Sequence, residues 1–175
     1  MGQIYIDAID VIPNDTINIP QPGALVSGTS TGGAGTTLTD GSATFLNSST
    51  NKLGYNITGG DVVRRGNGTE AEILSVDSDT QLTLKTSMTA GTYEIFKGNS
   101  AKTSSDGYSL YVGTTGNVEV ITVKGTQVII KNVKDGEQLD LQVVRVLATN
   151  TTASNITALE LRSMAPPDPI PNSEV

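Results

Sequence analysis

With no histidine and no cysteine, any chemistry in this sequence falls to carboxylates, hydroxyls, tyrosines and a few cations. The absence of imidazole excludes a Ser-His-Asp triad and imidazole metal sites. The absence of thiol excludes thiol catalysis, thiolate metal sites and disulfides. A pair of carboxylates could still act as acid and base on a glycosidic bond. The most suggestive pair is Asp77 and Asp79 in "SVDSDTQ". They lie between two strand-like runs, where Asp and Ser favour a turn, so a turn is the expected role. "DSDTQ" has the oxygens of a calcium loop but lacks its Gly and its later bidentate Glu. "TGGAGTT" from Thr31 has the glycines of a phosphate cradle, but no Gly-Lys-Ser/Thr and no helix follow, so it is expected to be an exposed loop. Tyr5, Tyr55, Tyr93, Tyr108 and Tyr111 could stack on sugars; half-buried tyrosines at sheet edges are the expectation. Asn-X-Ser/Thr sequons at Asn47, Asn56, Asn67, Asn150 and Asn155 reflect an Asn/Thr-rich composition. No enzyme, metal or cofactor is expected.

Composition points to strands. Among 175 residues there are 19 Gly, no Trp and 4% aromatics, a balance that suits short strands and polar turns. No apolar run approaches the roughly 20 residues needed to cross a bilayer, so no membrane partner is expected. "MGQIYIDAID" has neither a basic n-region nor an apolar core, so no Sec signal is expected, and Ile6 stands where a myristoylation pattern wants Ser or Thr. The net charge of −7 repels nucleic acid unless cations cluster. Arg64-Arg65 is the one adjacent basic pair, expected at a solvated hairpin edge.

Four zones follow along the chain. Ile4–Ile12 reads as a strand, and Pro13, Pro20 and Pro22 then impose an extended course. "LVSGTSTGGAGTTLTDGSATF" is linker-like in its first half, while Leu38, Ala43, Phe45 and Leu46 in its second half recur as if packing. Gly54–Phe96 reads as a four-stranded β-module, with Leu82 and Leu84 alternating on one face. After a polar connection, Tyr111–Thr149 holds three β-branched runs joined by turns at Gly125 and Gly136, an antiparallel meander. "SMAPPDPIPNSEV" is too rich in proline for a sheet and is expected to be an extended arm.

The segment Tyr108–Glu160 resembles a small β-domain of tailed-bacteriophage virion proteins, and is similar to the head-spike base proteins of gene transfer agents. The matching motifs are Leu110–Gly113, Asn132-Val133 with Gly136, Val144-Arg145-Val146, Ala148–Ala153 and, far upstream, "IPNDT", Ile12–Thr16. In short family members the last of these almost directly precedes the first. Here Leu25–Gly107 separates them, so the resemblance implies a discontinuous domain. Its expected parts are 1–25 plus 108–162, with an inserted β-module at 26–97, a linker at 98–107 and an arm at 163–175.

The fold class expected is all-β: an antiparallel sandwich or barrel-like domain with a second β-module inserted at a loop tip, where insertion costs little. The resemblance implies a non-enzymatic structural protein on the outer surface of a phage head, made in the cytoplasm of the infected bacterium. It would be a decoration or cement protein or a head-spike base. Its partners would be the major capsid protein, further copies of itself as a trimer or pentamer, and a fibre or spike protein. The alternative is a receptor- or glycan-binding adhesin of a tail or spike. Assembly contacts are expected at an N-terminal edge strand, Ile4, Tyr5 and Ile6, and along the arm at Pro166, Pro167, Pro169 and Ile170.

Overall fold

A computed structural model describes residues 5–32, 35–47, 54–98 and 107–161. The protein is all-β, and the described residues hold no α-helix. Its twelve strands are β1 (Tyr5–Asp10), β2 (Ala24–Ser30), β3 (Gly35–Thr39), β4 (Val62–Arg65), β5 (Glu70–Ser78), β6 (Gln81–Met88), β7 (Gly91–Phe96), β8 (Tyr108–Val112), β9 (Gly116–Thr122), β10 (Gln127–Val133), β11 (Glu137–Val146) and β12 (Ile156–Leu161). They form two six-stranded antiparallel sheets, ordered β1-β12-β8-β11-β9-β10 and β2-β7-β4-β5-β6-β3. The sheets pack together as a sandwich, and neither closes into the barrel that the sequence left open as an alternative.

Chain segments sort cleanly between the sheets. Strands β2–β7 make the second sheet, whereas β1 joins β8–β12 in the first. Ala24 pairs with Phe96, and the Gln21 amide donates to the Lys97 carbonyl at 2.8 Å, so the chain leaves and re-enters the first sheet at one place. Each sheet has a core of its own. Ile9, Ile19, Tyr108, Leu110, Val118, Val120, Val143 and Val146 pack in the first. Leu38, Phe45, Val63, Ile73, Leu82, Leu84 and Ile95 pack in the second. Phe96 of β7 belongs to the first core and Ala24 packs against it, which welds the seam. The 24–30 stretch, linker-like in composition, is strand β2, because pairing with β7 satisfies its backbone.

The motifs behind the family resemblance act as structural fasteners. Asn14 closes an Asx turn, its Oδ1 accepting from the Thr16 and Ile17 amides. That turn aims Asp15 at the far end of β11. Asp15 Oδ1 accepts from the Ala148 and Thr149 amides, Oδ2 accepts from the Thr149 hydroxyl, and Arg145 donates to Asn18 Oδ1 and the Asp15 carbonyl. The Asn14 and Ile19 amides donate to the Val146 and Val144 carbonyls, so the proline-punctuated segment lies along β11.

"ATNTTA" has a comparable explanation. Thr151 Oγ1 accepts from the Glu119 amide and Thr152 Oγ1 from the Asn117 amide. Hydroxyls thus stand in for strand carbonyls where β11 has ended. Gly116 passes so close that a Cβ would sit 2.5 Å from the Ala153 nitrogen. The turn glycines Gly125 and Gly136 lie at φ 81° and 76°, where a β-branched side chain fits poorly.

The Asp15 latch predicts a pH response. The Thr149 hydroxyl, chiefly, with the Thr149 and Ala148 amides and Arg145, holds the Asp15 carboxyl below its ordinary value. A folded value below the unfolded one stabilises above about pH 4, and that contribution is lost as pH falls through the folded value. The midpoint of urea unfolding should therefore drop on acidification, and Asp15→Asn should flatten that acid limb. Identical acid limbs would remove the latch.

Candidate assembly interface

The first sheet ends in two strands, β1 and β10, whose outer sides carry no strand among the described residues. Unpaired N–H and C=O groups along such an edge are a template for another chain. At β1 the expected contact residues divide. Tyr5 pairs in register with Leu161, and the Gln138 amide nitrogen donates to its hydroxyl. A bulge between Tyr5 and Asp7 turns Ile6 outward, 58% exposed. Ile4, Pro166, Pro167, Pro169 and Ile170 lie outside the described residues.

At β10 the structure shows a surface that the sequence did not flag. "QVIIK" reads as a core strand, yet Val128 and Ile129 point to opposite faces and are 39% and 38% exposed. Ile130 packs against the core, and Val133 at the end of the strand is buried in it. The run lacks apolar–polar alternation, the pattern of a strand buried on both faces, so nothing local in it marks the edge. Lys131 within this strand and Lys124 and Lys134 beside it are exposed, a common guard against indiscriminate edge pairing.

The other singled-out residues turn out to be structural. Asp77 lies within β5 rather than in a turn, and accepts from the Ser75 and Thr83 hydroxyls at 2.7 Å, which lower its pKa. Asp79 occupies the turn, where it accepts from the Leu46 amide at 3.1 Å. "TGGAGTT" runs into β3 at Gly35, and its residues 33–34 lie outside the described residues. Among the described residues no three His, Cys, Asp or Glu side chains gather in a metal-holding group. No described helix is long and apolar enough to cross a membrane.

Two expectations about polar side chains are corrected. Arg64 and Arg65 do not lie at a solvated hairpin edge. Arg64 donates through Nε and Nη2 to one oxygen of Glu70, at 3.0 and 2.7 Å, and lies 5.1 Å above the Phe96 ring. Segment 11–20 covers that pair at the seam between the sheets. Burial raises the Glu70 pKa against the pull of Arg64. Arg65 is 5% exposed. Both faces of β4 are covered, which the paired Val62-Val63 and Arg64-Arg65 do not reveal.

Nor are the tyrosines uniformly half-buried, since Tyr93 and Tyr108 are fully buried. The Tyr93 hydroxyl donates to buried Asp40 at 2.8 Å. A Cβ on Gly28 would lie 2.5 and 2.6 Å from that pair, so Gly28 makes the room. Burial opposes the Asp40 charge, but the Ser42 amide, the Tyr93 hydroxyl and the Thr29 amide together keep its pKa low.

The fold defines an open-edged, two-sheet β-protein. Neither family models, curated proteins nor solved structures yielded a match to the chain.

Proposed function

We propose that this chain is a non-enzymatic structural protein of a phage virion, on the outer surface of the head, as capsid decoration, cement or head-spike base. It acts by contact: with the major capsid protein, with its own copies in a trimer or pentamer, and with a fibre or spike protein set on top. The observation that carries the reading is where the polar residues of the resembling motifs are spent. Asn14, Asp15, Arg145, Thr149, Thr151 and Thr152 are engaged in holding the fold, so a contact surface rather than a reactive site is left to do the work. The two outer edges of the first sheet, with Ile6 at one and Val128 and Ile129 at the other, supply the apolar and backbone groups such contacts use. The acidic balance of the chain keeps it soluble before assembly.

The test is sedimentation of the purified chain with heads of the phage that encodes it, either intact or stripped of surface proteins. Saturable binding to stripped heads and little to intact, already occupied ones is expected. Equal failure to bind both would refute the capsid role.

A further inference from the structure

Strands β1 and β10 bound the first sheet, and the outer row of backbone groups on each meets no strand among the described residues. Single hydrogen bonds fix which residues form these rows, since bonded and non-bonded pairs alternate along an antiparallel ladder. The Val11 amide donates to the Ile156 carbonyl at 2.8 Å, so Asp7 and Ile9 bond to β12 while Ala8 and Asp10 turn their N–H and C=O outward. The Thr122 amide donates to the Thr126 carbonyl at 3.0 Å, so Val128 and Ile130 bond to β9 while Gln127, Ile129 and Lys131 turn outward. Ile9 and Ile130 both pack on the first core, which places the side chains of the outward residues on the opposite face of the sheet.

The two edges are unlike in charge. Strand β1 carries Asp7 and Asp10 and no cation. Strand β10 carries Lys131 and no carboxylate, with Lys124 in the turn before it. Neither lysine belongs to an ion pair among the described residues. Beyond the end of β10, Asp135 and Glu137 offset Lys134. The edges also run in opposite directions, because six antiparallel strands lead from β1 to β10.

We propose, resting on the oligomer put forward above, that β1 of one copy adds to β10 of the next, head to tail. A copy set beside the first in the same orientation lays its β1 antiparallel against β10, with both core faces on one side. Asp10 and Lys131 then share the outer face of the new ladder, where opposite charges on facing strands attract. Pairing β10 with β10 supplies no carboxylate to either lysine, and pairing β1 with β1 supplies no cation to the aspartates. The Ala8 amide is held by the Asp7 carboxylate at 2.8 Å, so β1 is partly masked and a partner strand must displace that local bond. A head-to-tail contact joins unlike surfaces and closes into a ring when its rotation allows.

The test is sedimentation equilibrium of the full chain over a concentration series. The wild type is expected as a closed oligomer. Lys131→Glu and Asp10→Lys, both at exposed positions, should each weaken association about tenfold per contact, and the double variant should recover it. Ile129→Pro should abolish the oligomer and leave the monomer folded, since the outward amide serves no internal ladder bond. A monomeric wild type, an oligomer indifferent to either charge reversal, or a double variant without recovery would overturn the proposal. A ring that responds as expected but fails to bind stripped heads supports the ladder and refutes the capsid role, whereas monomers that bind stripped heads refute the ladder alone.

Discussion

Tyr108→Ala is expected to cost roughly 3–5 kcal/mol of stability, as truncation of a fully buried aromatic does. Tyr108 is 0% exposed at the start of β8, in the core of the first sheet, where it pairs with Val143 on one side and Glu160 on the other. Its hydroxyl donates to the Pro20 carbonyl at 3.1 Å, which ties a segment 88 residues earlier in the chain to the central strand. Burial raises the phenol pKa well above its ordinary value, so the hydroxyl stays a donor at any ordinary pH. Tyr108→Phe removes the hydroxyl alone and should cost about 1 kcal/mol. Urea midpoints of the two variants separate ring packing from the reach to Pro20. Equal losses in both would mean that the ring contributes little packing.

Asp61→Ala should be the most damaging polar change, at about 3 kcal/mol, because it strips the partner from a buried network. Asp61 is 2% exposed ahead of β4. It accepts from the Thr58 amide at 2.8 Å, from the Gly98 amide at 3.0 Å and from Lys97 Nζ at 3.0 Å. The carboxylate therefore clamps the chain where it leaves the second sheet. A Cβ at Gly98 would meet the Gly60 carbonyl oxygen at 1.9 Å, so the backbones touch at this point and the clamp cannot relax outward. Asp61→Asn keeps the shape but loses the charge and one acceptor, and should fall between Ala and wild type. Thermal unfolding orders the three proteins, and an alanine variant within 1 kcal/mol of wild type would show the network to be idle.

How much of this was legible depends on the range of the interaction. Strand runs, the turns at Gly125 and Gly136, and the extended course after Pro13 follow from neighbours in sequence, and the fold class follows from them. The partners across 53 residues in Tyr93–Asp40, or across 133 residues in Asp15–Ala148, leave no local trace. Arg64 and Arg65 looked solvated because basic residues in short hairpins usually are. Here the 11–20 segment covers one face of β4 and the second core covers the other. At the edges the sequence pointed to β1 but passed over β10, because "VII" carries the same β-branched signal whether a strand is central or outermost.

We propose contact on the surface of a phage head as the role of this protein. Electron microscopy of particles carrying a labelled copy of the chain measures this most directly. Label is expected on the outer surface of the head, in clusters of three or five at symmetry-related positions. Purified particles that carry the label only on the tail, or not at all, would contradict it.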